Sequence, residues 1–475
     1  MNTRKIFGYS TFAVIIMLLV CTLSLTGCPN DSPGGDLPFT EVTVSNGNTL
    51  AEKLQWVKDN AQSNTSYTIQ VSSDEAISPH ELSYTGKSDI KIILRGSGSA
   101  REISLSETGR LFIVESGVTL VLDNNITLKG RSDNTVSLVR VHKGGALIMN
   151  AGAKISGNTS IWGSGVEVSN GTFTMSGGEI SDNTASREGG GVNVSNEGTF
   201  TMSGGEISGN TASSGGGVEV YEGTFTMTGG KITGNTAEAD SWAGGGGVSV
   251  GDNATFTMRG GEISGNTAKS NSDSAGGGGV NVGEGATFTM SGTAKIFGNT
   301  AEADSWAGGG GVYIYQGTFT MQGGEISDNT AKSNSDSEAA DGGGVHVGEG
   351  ATFTMSGTAK ISGNTAEADF WAGGGGVNIS KGTFTMNGGE ISGNTAGGGG
   401  GVCLNADATF RIVNGTVYGS DEGVLSNTAT NGSTLRNYDN GTAQHGTFSG
   451  TTWTSKGNLT TTNDTIKVVN GELAE

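Results

Sequence analysis

The residues of this chain with the most chemical character sit in short inserts between repeated units. Ala237-Glu238-Ala239-Asp240-Ser241-Trp242-Ala243 recurs around Trp306 and again as a variant with Phe370-Trp371. Tryptophans at regular spacing can stack on sugar rings or anchor a protein partner. Trp242, Trp306 and Trp371 are therefore the candidate ligand-binding residues, expected along one edge about 10 Å apart, two strand spacings. Each could instead fold over its own glycine corner and cover bare backbone. The same inserts carry Glu238 with Asp240, Glu302 with Asp304, and Glu367 with Asp369. Calcium takes about six to eight oxygens. Two carboxylates per insert fall short, so neither a metal site nor a cofactor is expected.

Catalysis on a polysaccharide needs localised groups: a base, carboxylates for proton transfer, and a cation for acidic sugars. The four histidines, His80, His142, His346 and His445, are scattered. Only His346 lies in a regular repeat. It takes an outward position that other repeats fill with Glu167, Asn193, Glu219, Ser249, Asn281, Tyr313 and Asn378, a mixed polar column that reads as a solvated face. Glycine runs such as Gly397 to Gly401 lack the lysine and the strand-to-helix setting of a phosphate loop. No catalytic residue is expected.

The elements that position these inserts come from eight near-copies of one phrase. Thr-Phe-Thr-Met leads to a glycine corner, Ile-Ser-Gly-Asn-Thr-Ala, an insert and Gly-Gly-Gly-Val. The marker phenylalanines are Phe173, Phe200, Phe225, Phe256, Phe288, Phe319, Phe353 and Phe384, at intervals of 25 to 34 residues. Such self-similarity means one unit stacked on itself. Alternation of period two sends Phe and Met inward and the threonines outward. Three short strands per rung, with no helix-length segment between them, predict an all-β, right-handed parallel β-helix of about eleven rungs spaced as in ordinary sheets.

Two columns test in-register stacking. Asn183, Asn210, Asn235, Asn266, Asn299, Asn329, Asn364 and Asn394 share one corner, where their amides can bond along the stack. The residues before each isoleucine run Glu206, Lys231, Glu262, Lys295, Glu325, Lys360 and Glu390, alternating in sign, with Glu179 breaking the pattern at the start. Neighbouring strands gain about 0.2–1 kcal/mol from such opposite pairs.

The ends differ from the repeat. Residues 1–27 read as a signal peptide, with Arg4 and Lys5 ahead of an apolar run too short to span a bilayer. Leu25-Thr26-Gly27-Cys28 resembles the lipobox of bacterial lipoproteins, which implies lipid attachment at Cys28. Residues 28–40 are then a lipidated tether, 41–110 an N-terminal cap with first strands, 111–419 the β-helix repeats and 420–475 a C-terminal cap. Thr49-Leu50-Ala51-Glu52 predicts a capping box opening a helix to about Asn60, which would cover the first rung. Only Cys403 would remain as a thiol, so no intramolecular disulfide is available. All four prolines precede residue 80, as uninterrupted sheet requires. The formal charge is −20; removing residues 1–27, with two basic and no acidic groups, makes it −22. Such a protein repels nucleic acid and anionic membrane surfaces, so a nucleic-acid partner is not expected and membrane attachment rests on acyl chains.

Gly-Gly-Gly-Val paired with Ile-x-x-Asn resembles the short motifs of polymorphic outer-membrane proteins, a β-helical adhesin family. The autotransporter barrel of that family has no counterpart in the closing Gly471-Glu472-Leu473-Ala474-Glu475. More of the chain, including Leu50 to Ala61 and Ile126-Thr127-Leu128-Lys129-Gly130-Arg131, resembles pectin-lyase-like β-helix repeat lipoproteins of spirochaetes. That resemblance implies a cell-envelope location, outer membrane or surface, and host or matrix contact; with the tryptophan edge, the expected partner is a glycan or an extracellular-matrix protein. The expected function is a non-catalytic adhesin or display rod. The alternatives are a carbohydrate-active enzyme, either polysaccharide lyase or glycoside hydrolase, and a purely structural envelope protein.

Overall fold

Phenylalanine spacing in the folded chain reports directly on the stack. Successive rings from Phe173 to Phe384 lie 4.6–4.8 Å apart and nearly parallel. That is the separation of hydrogen-bonded strands, so each ring sits on its copy one coil away. The chain is a right-handed parallel β-helix of about twelve coils, seen in a computed structural model that describes residues 39–42, 47–430, 433–437 and 441–474. The signal segment, Cys28 and all but the end of the tether lie outside the described residues.

The three expected strands are present in each regular coil and run in register. In one coil they are Val280–Val282, Thr287–Met290 and Lys295–Phe297. Copies of the first make a thirteen-stranded parallel face, and the other two make the larger sheet. Phe, Met, Ile and Val from these strands fill one continuous core.

Two further ladders run beside these, one from the Thr-Ala end of the repeated phrase and one, in five coils, from the inserts. Thr-Ala segments such as Thr300–Ala303 form a ten-stranded ladder. Trp242–Gly244, Ser274–Gly276, Ala307–Gly308, Ala339–Asp341 and Trp371–Gly373 form a five-stranded one. These residues stack on their own copies as the scaffold does, and small buried alanines let the two ladders close on each other.

The corners explain the invariant residue types. Each asparagine of the ladder is fully buried, and its Nδ2 donates to the next Oδ1 at 2.9–3.0 Å. The residue before it turns the chain with positive φ, as at Gly234 (62°) and Asp328 (55°), where glycine and aspartate are tolerated. At Gly310 a Cβ would stand 2.4 Å from the Thr330 carbonyl carbon, so no side chain fits. The outward charges of opposite sign lie side by side, and two of the pairs close, Lys231–Glu262 at 3.5 Å and Lys360–Glu390 at 3.7 Å. Glu179 is matched from the other side, by Lys154 at 2.8 Å. These pairs are half-exposed and contribute little each.

The helix spans Leu50–Asn60 with Thr49 and Glu52 forming the capping box. Leu50, Leu54 and Val57 enter the core, and Lys53 Nζ donates to Gln70 O at 2.8 Å. Coils begin earlier than residue 111: Phe39–Val42, Thr65–Val71 and Ile90–Gly96 already pair in parallel. At the other end, parallel pairing continues through Thr442–His445 on Thr409–Ile412. It then stops, because Thr442–Ser449 turns back antiparallel onto Thr452–Asn458 and Ile466–Val468 runs antiparallel to Gly415–Val417.

Candidate functional site

Most of the outward column of the thirteen-stranded face is not solvated, with Glu167, Asn281 and Tyr313 left part-exposed. Asn193, Glu219, Ser249, His346 and Asn378 are all buried, because the insert strands fold back across them. Alternation within a strand places these side chains away from the core, but a second layer waits there. His346 is only 4% exposed, with Trp306 at 5.0 Å and Tyr313 at 5.4 Å between ring centroids. Its Nδ1 meets Asn378 Nδ2 at 3.3 Å, so the amide donates to a neutral imidazole. Burial drives its pKa down to about 3. The histidine is a structural part of this layer rather than a solvated residue.

The tryptophans are closer than their coil spacing implies. Trp242 and Trp306 stack with centroids 6.4 Å apart, and Tyr313 packs against both at 5.3 and 5.6 Å. Trp242 leans across the next coil, where a Cβ on Gly276 would meet its ring at 2.6 Å; Trp306 lies over its own Gly308. Trp371 stands apart and crosses Gly398 of the following coil. Covering glycine backbone is thus part of what all three do. Trp242 nevertheless keeps 38% of its surface exposed, and Phe370 beside Trp371 keeps 65%. Insert carboxylates serve the stack as well: Asn271 Nδ2 donates to Glu238 at 3.3 Å and Asn334 Nδ2 to Glu302 at 3.1 Å. Among the described residues no group of three or more His, Cys, Asp or Glu is placed to hold a metal ion.

Under the aromatic layer lie two carboxyls in unusual settings. Glu219 accepts from Ser249 Oγ at 3.2 Å and from Ser214 Oγ at 3.0 Å. Burial, with the nearby Glu188 carboxylate, pushes its pKa up to about 8. Asp341 accepts from Trp306 Nε1 at 3.0 Å, and burial raises it to about 6. Asp341 Oδ1 and Asn378 Oδ1 have no hydrogen-bond partner, yet both stand about 3 Å from one point above Gly373, at 2.9 and 3.1 Å.

Both groups carry a folded pKa above the ordinary carboxylate value. Their contribution to stability is full below the unfolded pKa, near 4, and is lost as pH rises through about 6 for Asp341 and about 8 for Glu219. Thermal melts are therefore expected to fall between pH 5 and pH 8.5, by on the order of 3 kcal/mol of stability for Glu219 alone. In Glu219→Gln the part of that loss above pH 6 should vanish. Identical pH profiles for the two proteins would contradict the buried protonated acid.

Two clefts open over the outward column, and a third lies against the Thr-Ala ladder. One is lined by Trp162, Glu167, Glu188, Asn193 and Tyr221, and encloses about 360 Å³. Glu167 there is held by Arg110 at 3.1 Å and Arg140 at 3.3 Å, whereas burial raises the Glu188 carboxyl. The second, about 390 Å³, is walled by Trp242, Tyr313 and Tyr315 with Asp252 and Glu284. The third, about 270 Å³, lies under Phe370 and Trp371. Of the sequence candidates, Trp242 and Trp306 come together and Trp371 belongs to a separate cleft. Tyr221, Tyr313, Tyr315, Asp252 and Glu284 were missed. Their signal was the aromatic substitutions in and just after Gly-Val-x-Val, as in Val312-Tyr313-Ile314-Tyr315.

A family model described as a right-handed beta helix region matches residues 124–294. No curated protein and no solved structure matches the chain.

Proposed function

We propose that this chain is a lipid-anchored, extracytoplasmic rod of a bacterial envelope that binds an extended glycan along its aromatic flank, without catalysis. An adhesin or display role follows from that arrangement. The observation that carries the reading is the row of outward aromatic side chains, Trp162, Tyr221, Trp242, Tyr315 and Phe370, each at or beside one of the three clefts. Aromatic faces complement the apolar faces of sugar rings, and repetition along the rod multiplies weak contacts into useful affinity. The stiff stack keeps the clefts in line, so little ordering cost arises on binding. Anchoring through Cys28, with a tether of residues 28–40, is part of the proposal and rests on the lipobox resemblance.

The test is retention on a glycan array, with an extracellular-matrix protein panel beside it. Wild type should bind, and the Trp242→Ala/Tyr315→Ala pair should bind at least about 10-fold more weakly, with the exposed Tyr315→Ala alone already weakening binding while melting as wild type does. Silence of the wild-type protein on both panels would remove the binding reading. The Glu167 and Glu188 pair favours the enzyme as second reading, because one carboxyl is paired with two arginines while burial raises the other. Release of new reducing ends from a bound glycan, abolished by Glu188→Gln, would establish that reading over the binder.

A further inference from the structure

The Trp242 cleft is specific in charge as well as shape. Trp242, Tyr313 and Tyr315 supply its walls, Asp252 and Glu284 its two carboxylates, and no lysine, arginine or histidine lines it. Both carboxylates are exposed turn residues. Aromatic faces attract cations through their quadrupole, and flanking carboxylates strengthen the attraction. The chain shows elsewhere what its tryptophan faces take. Arg187 lies 4.9 Å over Trp162, Arg411 5.7 Å over Trp453 and Arg436 5.9 Å over Trp371. Among the described residues no guanidinium lies over Trp242 in this way. Three tryptophans are thus paired with an arginine of the protein itself, and the one at the centre of the flank is offered outward between two carboxylates.

We propose that this cleft takes an ammonium group of the bound glycan, which makes the ligand an amino-sugar polymer with free amines. The inference rests on the glycan-binding reading above and narrows it. Polyuronates carry the opposite charge and meet Asp252, Glu284 and a formal charge of −20, so they are disfavoured. Neutral N-acetylated sugars gain the aromatic stacking but not the charge pairing.

The experiment compares the full-length protein's affinity for a β-1,4-linked glucosamine hexamer, its fully N-acetylated counterpart and a galacturonate hexamer. The amine form is expected to bind at least about 10-fold more tightly than the acetylated one at low salt, with the preference shrinking as ionic strength rises. Asp252→Asn/Glu284→Gln should abolish that preference, so that the amine and acetylated hexamers bind alike. Equal wild-type binding of the two glucosamine-type hexamers would overturn the ammonium cleft while leaving the glycan reading in place. Tighter binding of the galacturonate would do the same. Failure of every hexamer, with capture of an arginine-rich or lysine-rich peptide, would overturn both.

Discussion

Replacing Asn299 by leucine is expected to cost about 4–6 kcal/mol and to open the rod at that coil. Leucine matches asparagine in bulk, so the loss is not one of volume. Asn299 is fully buried and its side chain makes five hydrogen bonds. Nδ2 donates to Ile263 O at 3.0 Å, Phe297 O at 3.2 Å and Asn329 Oδ1 at 2.9 Å. Oδ1 accepts from the backbone N and Nδ2 of Asn266 at 3.0 and 2.9 Å. Removing it strands groups on coils both above and below, and each buried orphan costs about 1–3 kcal/mol. Because the core side chains and asparagines of a coil pack on adjacent coils, the damage stays local. Limited proteolysis should cut near residues 297–300 in the variant and spare the wild type, alongside a lowered melting temperature. A variant that melts with wild type would show the ladder to be ornamental.

The second large effect is expected from Phe288→Ala, at about 3–5 kcal/mol for the lost ring and its cavity. Phe288 is fully buried between Phe256 at 4.8 Å and Phe319 at 4.6 Å. Both stacking contacts disappear at once, and the rings on either side cannot close the gap without breaking their own strand register. Amide hydrogen exchange should rise in the coils holding residues 256, 288 and 319 and stay unchanged near Phe173. Uniform acceleration along the whole chain would instead mean that the rod unfolds as one cooperative body. Phe288→Leu, which retains most of the volume, should recover more than half of the lost stability.

Much of the architecture was readable because strand alternation and repetition reinforce each other. Phe288, Met290 and Ile296 recur at matched offsets, so their inward direction could be read without any partner. The asparagine column and the Glu206 to Glu390 sign alternation had the same property. The flank was harder, and His346 shows why. Period two places it away from the core of its own strand, but nothing in a single strand tells whether another layer lies beyond. That layer comes from Ala-Glu-Ala-Asp-Ser-Trp, which is polar, short and flanked by glycine, and so reads as loop. It becomes strand only because copies of it lie alongside, as in Trp242–Gly244 on Ser274–Gly276. Trp242 reaching over Gly276 is a contact between coils 30 and more residues apart in sequence. Residue spacing alone gives the coil distance, about 10 Å for two strand spacings. It does not give the lean that shortens it to 6.4 Å.

The antiparallel turn-back at the C-terminal end and the helix at the N-terminal end leave the interior coils interchangeable. Phe225, Phe288 and Phe353 are separated by 63 and 65 residues, each a block of two coils. Excising residues 225–287 would join Phe200 to Phe288 with every file of side chains still aligned and both termini intact. Gene copies that recombine out of step can therefore shorten or extend this protein in frame, by quantised steps of roughly 10 Å per block. The length of the stack and the number of its insert ladders would then change together, as multiples of one inherited cassette.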